Sequence, residues 1–183
     1  MIFLHEGDII DIDLPLLMSV CSMLDQKTTE VIAQADSMGQ LDSLGILDEL
    51  EHLLGFGIVG VQTYITTIAS FAGLKKHETF QYSPMTYSGV SKIKIINAVA
   101  NFWKHRSEWV LGAAESRKNA IDVLFEEVGY STDSEYPVSG VIRELVSPKE
   151  CRLTSLIEIL VEWRNSLMKD TVFPNLNAEQ DGG

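Results

Sequence analysis

Over residues 91–112 the sequence SKIKIINAVANFWKHRSEWVLG carries the side chains best equipped for chemistry. Projected at 100° per residue on a helix, Asn97, Asn101, Lys104, His105 and Glu108 fall within one arc of about 100°. His105 can work as a general base near neutral pH, Glu108 can raise its basicity through a hydrogen bond, and Asn101 with Lys104 can hold an anion. Read this way, the chain is a hydrolase acting on RNA or a nucleotide, with His105, Glu108 and Asn101 as its catalytic residues. The same five residues also describe a ligand-binding stripe without catalysis. A helix buried on two sides has to show something polar on the third, and no catalytic spacing fixes the roles here. The preferred reading is therefore a helical binding or interaction module for a protein or small molecule, with the hydrolase as its alternative. Whether the chain is an enzyme stays open.

The neighbouring motifs do not sharpen this choice. The polar residues ahead of the helical His105 resemble the motif of the HEPN ribonucleases, in which Arg and then a polar residue precede a His by four to six positions. Here Arg106 follows His105 and only three residues separate Asn101 from it, so order and spacing depart from that pattern and no membership is assigned. Gly55-Phe56-Gly57-Ile58-Val59-Gly60 spells GxGxxG, but it follows ILDELEHLL, a run with helical spacing and charged side chains, where a dinucleotide fold needs a buried strand. Its glycines suit the close approach of another helix, or a break near residue 57. Glu49-x-x-His52 has the i, i+3 spacing of carboxylate-bridged metal bundles, which need two such motifs and further acids. No cofactor and no metal are expected. Arg106 lies between two apolar groups of its helix and is expected to stack on Phe102 or Trp109 while bonding an acid of the first or last helix.

Charge narrows the partners. The formal net charge is −12, distributed as −10 over residues 1–73, where Lys27 is the sole base, +5 over 74–106 and −7 beyond. An acidic body does not draw in polyanions, so nucleic acid could be engaged only through residues 74–106. The simpler reading packs that basic third beside the acidic first third. Cys21 and Cys151 lie far apart and read as buried thiols of a reducing compartment, the cytoplasm. The start, MIFLHEGDIIDID, lacks the basic region of a secretory signal.

The elements that must position these residues all carry the helical period. The uncharged run Leu53–Leu74 would make about 33 Å of helix, long enough for a membrane span. Its Gln62, Tyr64 and hydroxyl residues instead favour the buried middle of a bundle, where neighbouring helices supply partners. An amphipathic helix over 15–37, with Leu17, Val20, Leu24, Val31 and Ile32 as its apolar face, precedes it, capped by Asp13 and ended by Gly39. Asp42 or Ser43 caps the central helix. Residues 74–90 form a long loop, whose adjoining groove is the expected partner site. Further helices are expected over 117–128 and 139–146, the latter closed by Pro148, and from Ser155, where Ser155-x-x-Glu158 reads as a capping box, to Pro174. The expectation is an all-α, single-domain helical bundle of five or six helices over 1–174, with residues 1–13 as an arm and 175–183 as a disordered tail. An oligomer is compatible with all of this.

Overall fold

The computed structural model describes residues 2–6, 8–38, 45–109, 115–146 and 151–172. Among them the fold is an all-α bundle with one small β-hairpin. The helices are α1 (Asp13–Met38), α2 (Ile46–Phe71), a 3-10 helix (Lys76–Gln81), α3 (Lys92–Trp109), α4 (Glu115–Glu126), α5 (Pro137–Leu145) and α6 (Leu156–Thr171).

The uncharged part of α2 from Leu53 onward has to be covered on its apolar side, and it is, while Phe56, Thr63, Thr66 and Ser70 face outward. Leu54, Ile58, Val61, Ile65 and Ile68, at alternating steps of four and three, are all at most 1% exposed. Burial at such positions contributes roughly 1.5–3 kcal/mol per side chain. α1 packs along one side of α2 and α3 along another, with α5 against its first half. α2 is the one helix among the described residues long and apolar enough to cross a membrane, and 56% of that apolar window is buried by the rest of the chain. It runs without a break at residue 57. Its glycines let neighbours approach, because a Cβ at Gly55 would overlap the Trp103 ring and one at Gly57 would overlap Leu153. The hydroxyls of Thr63, Thr66 and Thr67 find partners in their own helix, donating to the carbonyls of Val59, Gln62 and Thr63, as threonines commonly do on helices. α3 is buried on two sides: Ile93, Ile95, Ile96, Val99, Phe102 and Trp103 all lie in the core.

Aspartates and glutamates tie distant elements together. Asp25 of α1 accepts the Leu153 and Thr154 N–H groups (2.8 and 3.0 Å) and the Thr154 hydroxyl, just ahead of α6. Glu51 of α2 accepts Val138 and Ser139 N–H (2.6 and 3.0 Å) in the first turn of α5. Glu51 is thus a helix cap supplied from another element, and Asp25 holds the turn that leads into α6, each satisfying amides that would otherwise be left without partners. Burial pushes the Glu51 carboxyl above the usual range, and these two amides offset only part of that effect. Asp122 accepts the Thr132 N–H and hydroxyl in the turn after α4.

Several local expectations are corrected. The N-terminal arm is a hairpin, β1 (Ile2–His5) antiparallel to β2 (Asp8–Asp11), with Phe3 paired to Ile10 and Glu6 at φ 52°. α1 is capped by Asp11, whose Oδ1 accepts the N–H groups of Asp13 and Leu14. The buried face of α1 is Leu17, Cys21, Leu24, Thr28 and Val31, while Val20 and Ile32 sit off that line and are exposed. Ser155 makes no side-chain cap; Asp25 holds the turn just ahead of it. The loop over 74–90 holds the 3-10 helix and a cis Ser83–Pro84 bond. The expected roles of Gly39, Asp42 or Ser43, Pro148, Pro174 and the 175–183 tail lie outside the described residues.

Candidate functional site

The five residues of the polar stripe divide into two groups. Gln62, 4% exposed in the middle of α2, donates from Nε2 to the side-chain oxygens of Asn97 (2.8 Å) and Asn101 (2.9 Å), and its Oε1 accepts from Lys104 Nζ (2.7 Å). Asn97, Asn101 and Lys104 are thus held by the α2–α3 contact, where they satisfy a buried amide. His105 and Glu108 stand apart, with Nδ1 of His105 2.9 Å from Glu108 Oε1 and both side chains well exposed. A proton on Nδ1, donated to the carboxylate, leaves Nε2 as the basic nitrogen.

Arg106 stacks, but on Trp103: its guanidinium carbon lies 3.1 Å from that ring's centroid. Its Nη1 donates to the Trp103 carbonyl and its Nη2 contacts His52 Nε2 at 3.3 Å. Of the two rings expected to receive Arg106, the Trp109 side chain lies outside the described residues. Among the described residues the acid whose charge acts on Arg106 is Glu51 of α2, where one of the first or last helix was expected. His52 donates from Nδ1 to the Asp48 carbonyl and meets Trp103 edge-on. His52 therefore serves an aromatic cluster, and no group of three or more His, Cys, Asp or Glu suited to a metal occurs among the described residues.

A different place has the shape of a binding site. Between α1, α2, α5 and the turn after α4 lies a cleft of about 460 Å³, within the size range of small-molecule sites. Its wall is mainly apolar, formed by Ile32, Leu47, Leu50, Leu54, Tyr130 and Tyr136, with Arg143, Ser134 and Glu135 among its polar members. Two local devices shape it. Gly140 lets the Tyr130 ring lie directly on α5, since a Cβ there would overlap it, and Arg143 fixes the ring's far end by donating to the Tyr130 hydroxyl (2.9 Å). Glu51, holding the first turn of α5, sets where Ser139 stands in the wall.

Two titratable or polar groups in the cleft bear on chemistry. Cys151 is partly buried and its thiol is pushed up to about 11, first by burial and then by the nearby Glu51 charge. It is a neutral thiol at physiological pH, which rules against a cysteine nucleophile. Thr28 is 9% exposed, and its hydroxyl is the buried side-chain group without a hydrogen-bond partner among the described residues. Two other cavities, about 720 and 520 Å³, flank the 74–90 loop and are lined by His77, Glu78 and Lys94, and by Tyr87, Lys92 and Glu127 respectively. None of the five stripe residues lines any of these three cavities.

The cleft was missed because its wall comes from four stretches of chain. The one signal for it is Thr28, a polar residue at a register position of α1 that the helix buries. Comparison with protein-family models, with curated proteins and with solved structures finds no match.

Proposed function

We propose that this chain is a cytoplasmic binding module whose ligand is a small amphipathic molecule seated in the α1–α2–α5 cleft. The carrying observation is the Thr28 hydroxyl, buried in an apolar wall without a partner. A buried unpaired hydroxyl costs about 1–3 kcal/mol; it is closed off from solvent, and a small shift of the cleft wall would let a ligand carbonyl or hydroxyl reach it and remove the cost. The apolar wall supplies affinity for the body of such a ligand, while Arg143, 3.6 Å from Glu144 and 52% exposed, could turn to an acidic end.

Thr28→Val keeps the volume and removes the hydroxyl, so it tests this reading on two axes. Stability should rise by about 1 kcal/mol, read from the urea midpoint. Affinity for an amphipathic ligand found by thermal-shift screening should fall roughly tenfold, equivalent to about 1.4 kcal/mol. Opposed changes of this kind mark a site that costs the fold something. Loss of stability in Thr28→Val would mean that the hydroxyl is already satisfied, and would remove the basis for the cleft as a site.

The hydrolase reading keeps one favourable observation, the 2.9 Å His105–Glu108 pair. Assays of wild type and His105→Ala on RNA and nucleotides decide it, and a wild-type activity lost at unchanged stability would move the function from the cleft to this pair.

A further inference from the structure

α1 presents two apolar faces, and the bundle covers one of them. Leu17, Cys21, Leu24 and Val31 pack inward. On the outer side Leu16 is 64% exposed, Val20 41% and Met23 68%, and Ile12, just before the helix, is 52% exposed. At 100° per residue these four positions fall within about 80° of arc. The hairpin extends the surface. Ile2 and Ile9 lean on the core, so the alternation of the strands sends Phe3 and Ile10 to the opposite side, where they are 39% and 37% exposed. Phe3 and Ile10 are cross-strand partners, and Ile10 leads to Ile12 at the same strand period.

We propose that this face is the interface of a two-fold symmetric dimer, occupied by a second copy of the chain. Area is the first argument. At roughly 200 Å² for a fully exposed large apolar side chain, the exposed fractions of these six residues amount to about 600 Å². That equals the upper end of the largest patch on an ordinary monomer and approaches the ~800 Å² per partner of a standard interface. Charge is the second. The N-terminal end of the stripe is acidic, from Glu6 to Asp13, while its other end is balanced, with Lys27, the sole base in residues 1–73, and Glu30 one turn on. Antiparallel pairing about a two-fold axis lays Met23 against the partner's Ile12 and carries each Lys27 to the other chain's acidic end. Parallel pairing would put acid on acid. A face that complements itself in this way closes as a pair. The same excess of acid argues against an anionic membrane surface as the occupant. On α1, Thr28 and Ile32 of the ligand cleft lie more than about 80° away around the helix, so the interface and the cleft stand or fall separately.

The test is sedimentation equilibrium of the full chain. At about 100 μM wild type should have the mass of two chains and should dissociate on dilution, while Leu16→Glu/Met23→Glu should remain a single chain with an unchanged helical spectrum. Lys27→Glu should weaken the dimer by about tenfold, since it replaces an attraction with a repulsion at both ends. A monomeric wild type at that concentration overturns the proposal, as does a dimer that the Leu16→Glu/Met23→Glu chain retains. Flotation of the wild-type monomer with phosphatidylcholine or phosphatidylserine vesicles, lost in the same variant, overturns it in favour of a lipid surface.

Discussion

Replacing Asp11 by Ala should be among the most damaging single changes in this chain. Its Oδ2 accepts the Tyr64 hydroxyl at 2.6 Å and Arg164 Nη1 at 2.7 Å, and its Oδ1 accepts two amides at the start of α1. The Asp11 and Arg164 side chains are 6% and 17% exposed, so the pair is screened from water. Removing one member of a buried pair leaves the other charge uncompensated, at a cost of about 3–5 kcal/mol. For a chain of this size, at about 2–4 °C per kcal/mol, the thermal midpoint should fall by roughly 6–20 °C. The pH dependence supplies a second readout. Burial raises the Asp11 pKa, but the hydrogen bonds from Tyr64, Arg164 and the Leu14 amide outweigh it and hold the carboxyl below its ordinary value. A depressed carboxyl contributes its full stability above the unfolded value, near pH 4, and loses it as pH falls through the folded value. Midpoints of wild type and Asp11→Ala, followed by circular dichroism, should therefore converge as the solution is acidified from about pH 5 toward 2. A loss under about 1 kcal/mol at neutral pH, or a gap that stays constant on acidification, would refute the reasoning.

Three further changes have defined outcomes. Asn101→Ala should cost about 1 kcal/mol because it takes an acceptor from the buried Gln62 amide, while Glu108→Ala should stay within about 0.5 kcal/mol; equal urea midpoints for the two variants would mean that the stripe is one exposed surface. Arg106→Ala should cost about 0.5–2 kcal/mol, the worth of a cation over an indole, and should change the tryptophan fluorescence through Trp103. Gly55→Ala should cost at least about 1–3 kcal/mol in thermal unfolding, because the methyl meets the Trp103 ring rather than a flexible chain end.

Much of the fold was legible because burial imposes a period. The absence of charge from Leu53 to Leu74 and the apolar positions of the 91–112 segment each require a helix covered on most sides, and α2 and α3 are such helices. Gln62 was legible too, as a polar group in need of partners, although the sequence could not say that Asn97, Asn101 and Lys104 would be those partners. What was not legible depends on distance along the chain. The Ser155 box has the right local letters, yet Asp25, 128 positions away from Leu153, makes the bonds. The hairpin carries no Asn-Gly or Asp-Gly signal, and its turn places Glu6 at positive φ. The cleft needs four stretches to meet, and only the buried Thr28 foreshadows it.

The Asp11–Arg164 link joins positions 153 apart, and this has a consequence for how the protein is made. At translation rates of about 5–20 residues per second, Asp11 is synthesised roughly 8–30 s before Arg164. Asp25 waits almost as long for Leu153 and Thr154. During that interval α1 can pair with α2 and Asp11 can accept the Tyr64 hydroxyl and the first amides of α1, but Arg164 and the Leu153 and Thr154 groups that Asp25 will hold are missing. A nascent chain stalled before α6 is therefore left with Asp11 lacking its cation and the apolar side of α1 available to neighbouring chains. The last helix acts as the clasp of the whole assembly, so chains ending before Arg164 should be cleared by proteases far faster than the full-length protein.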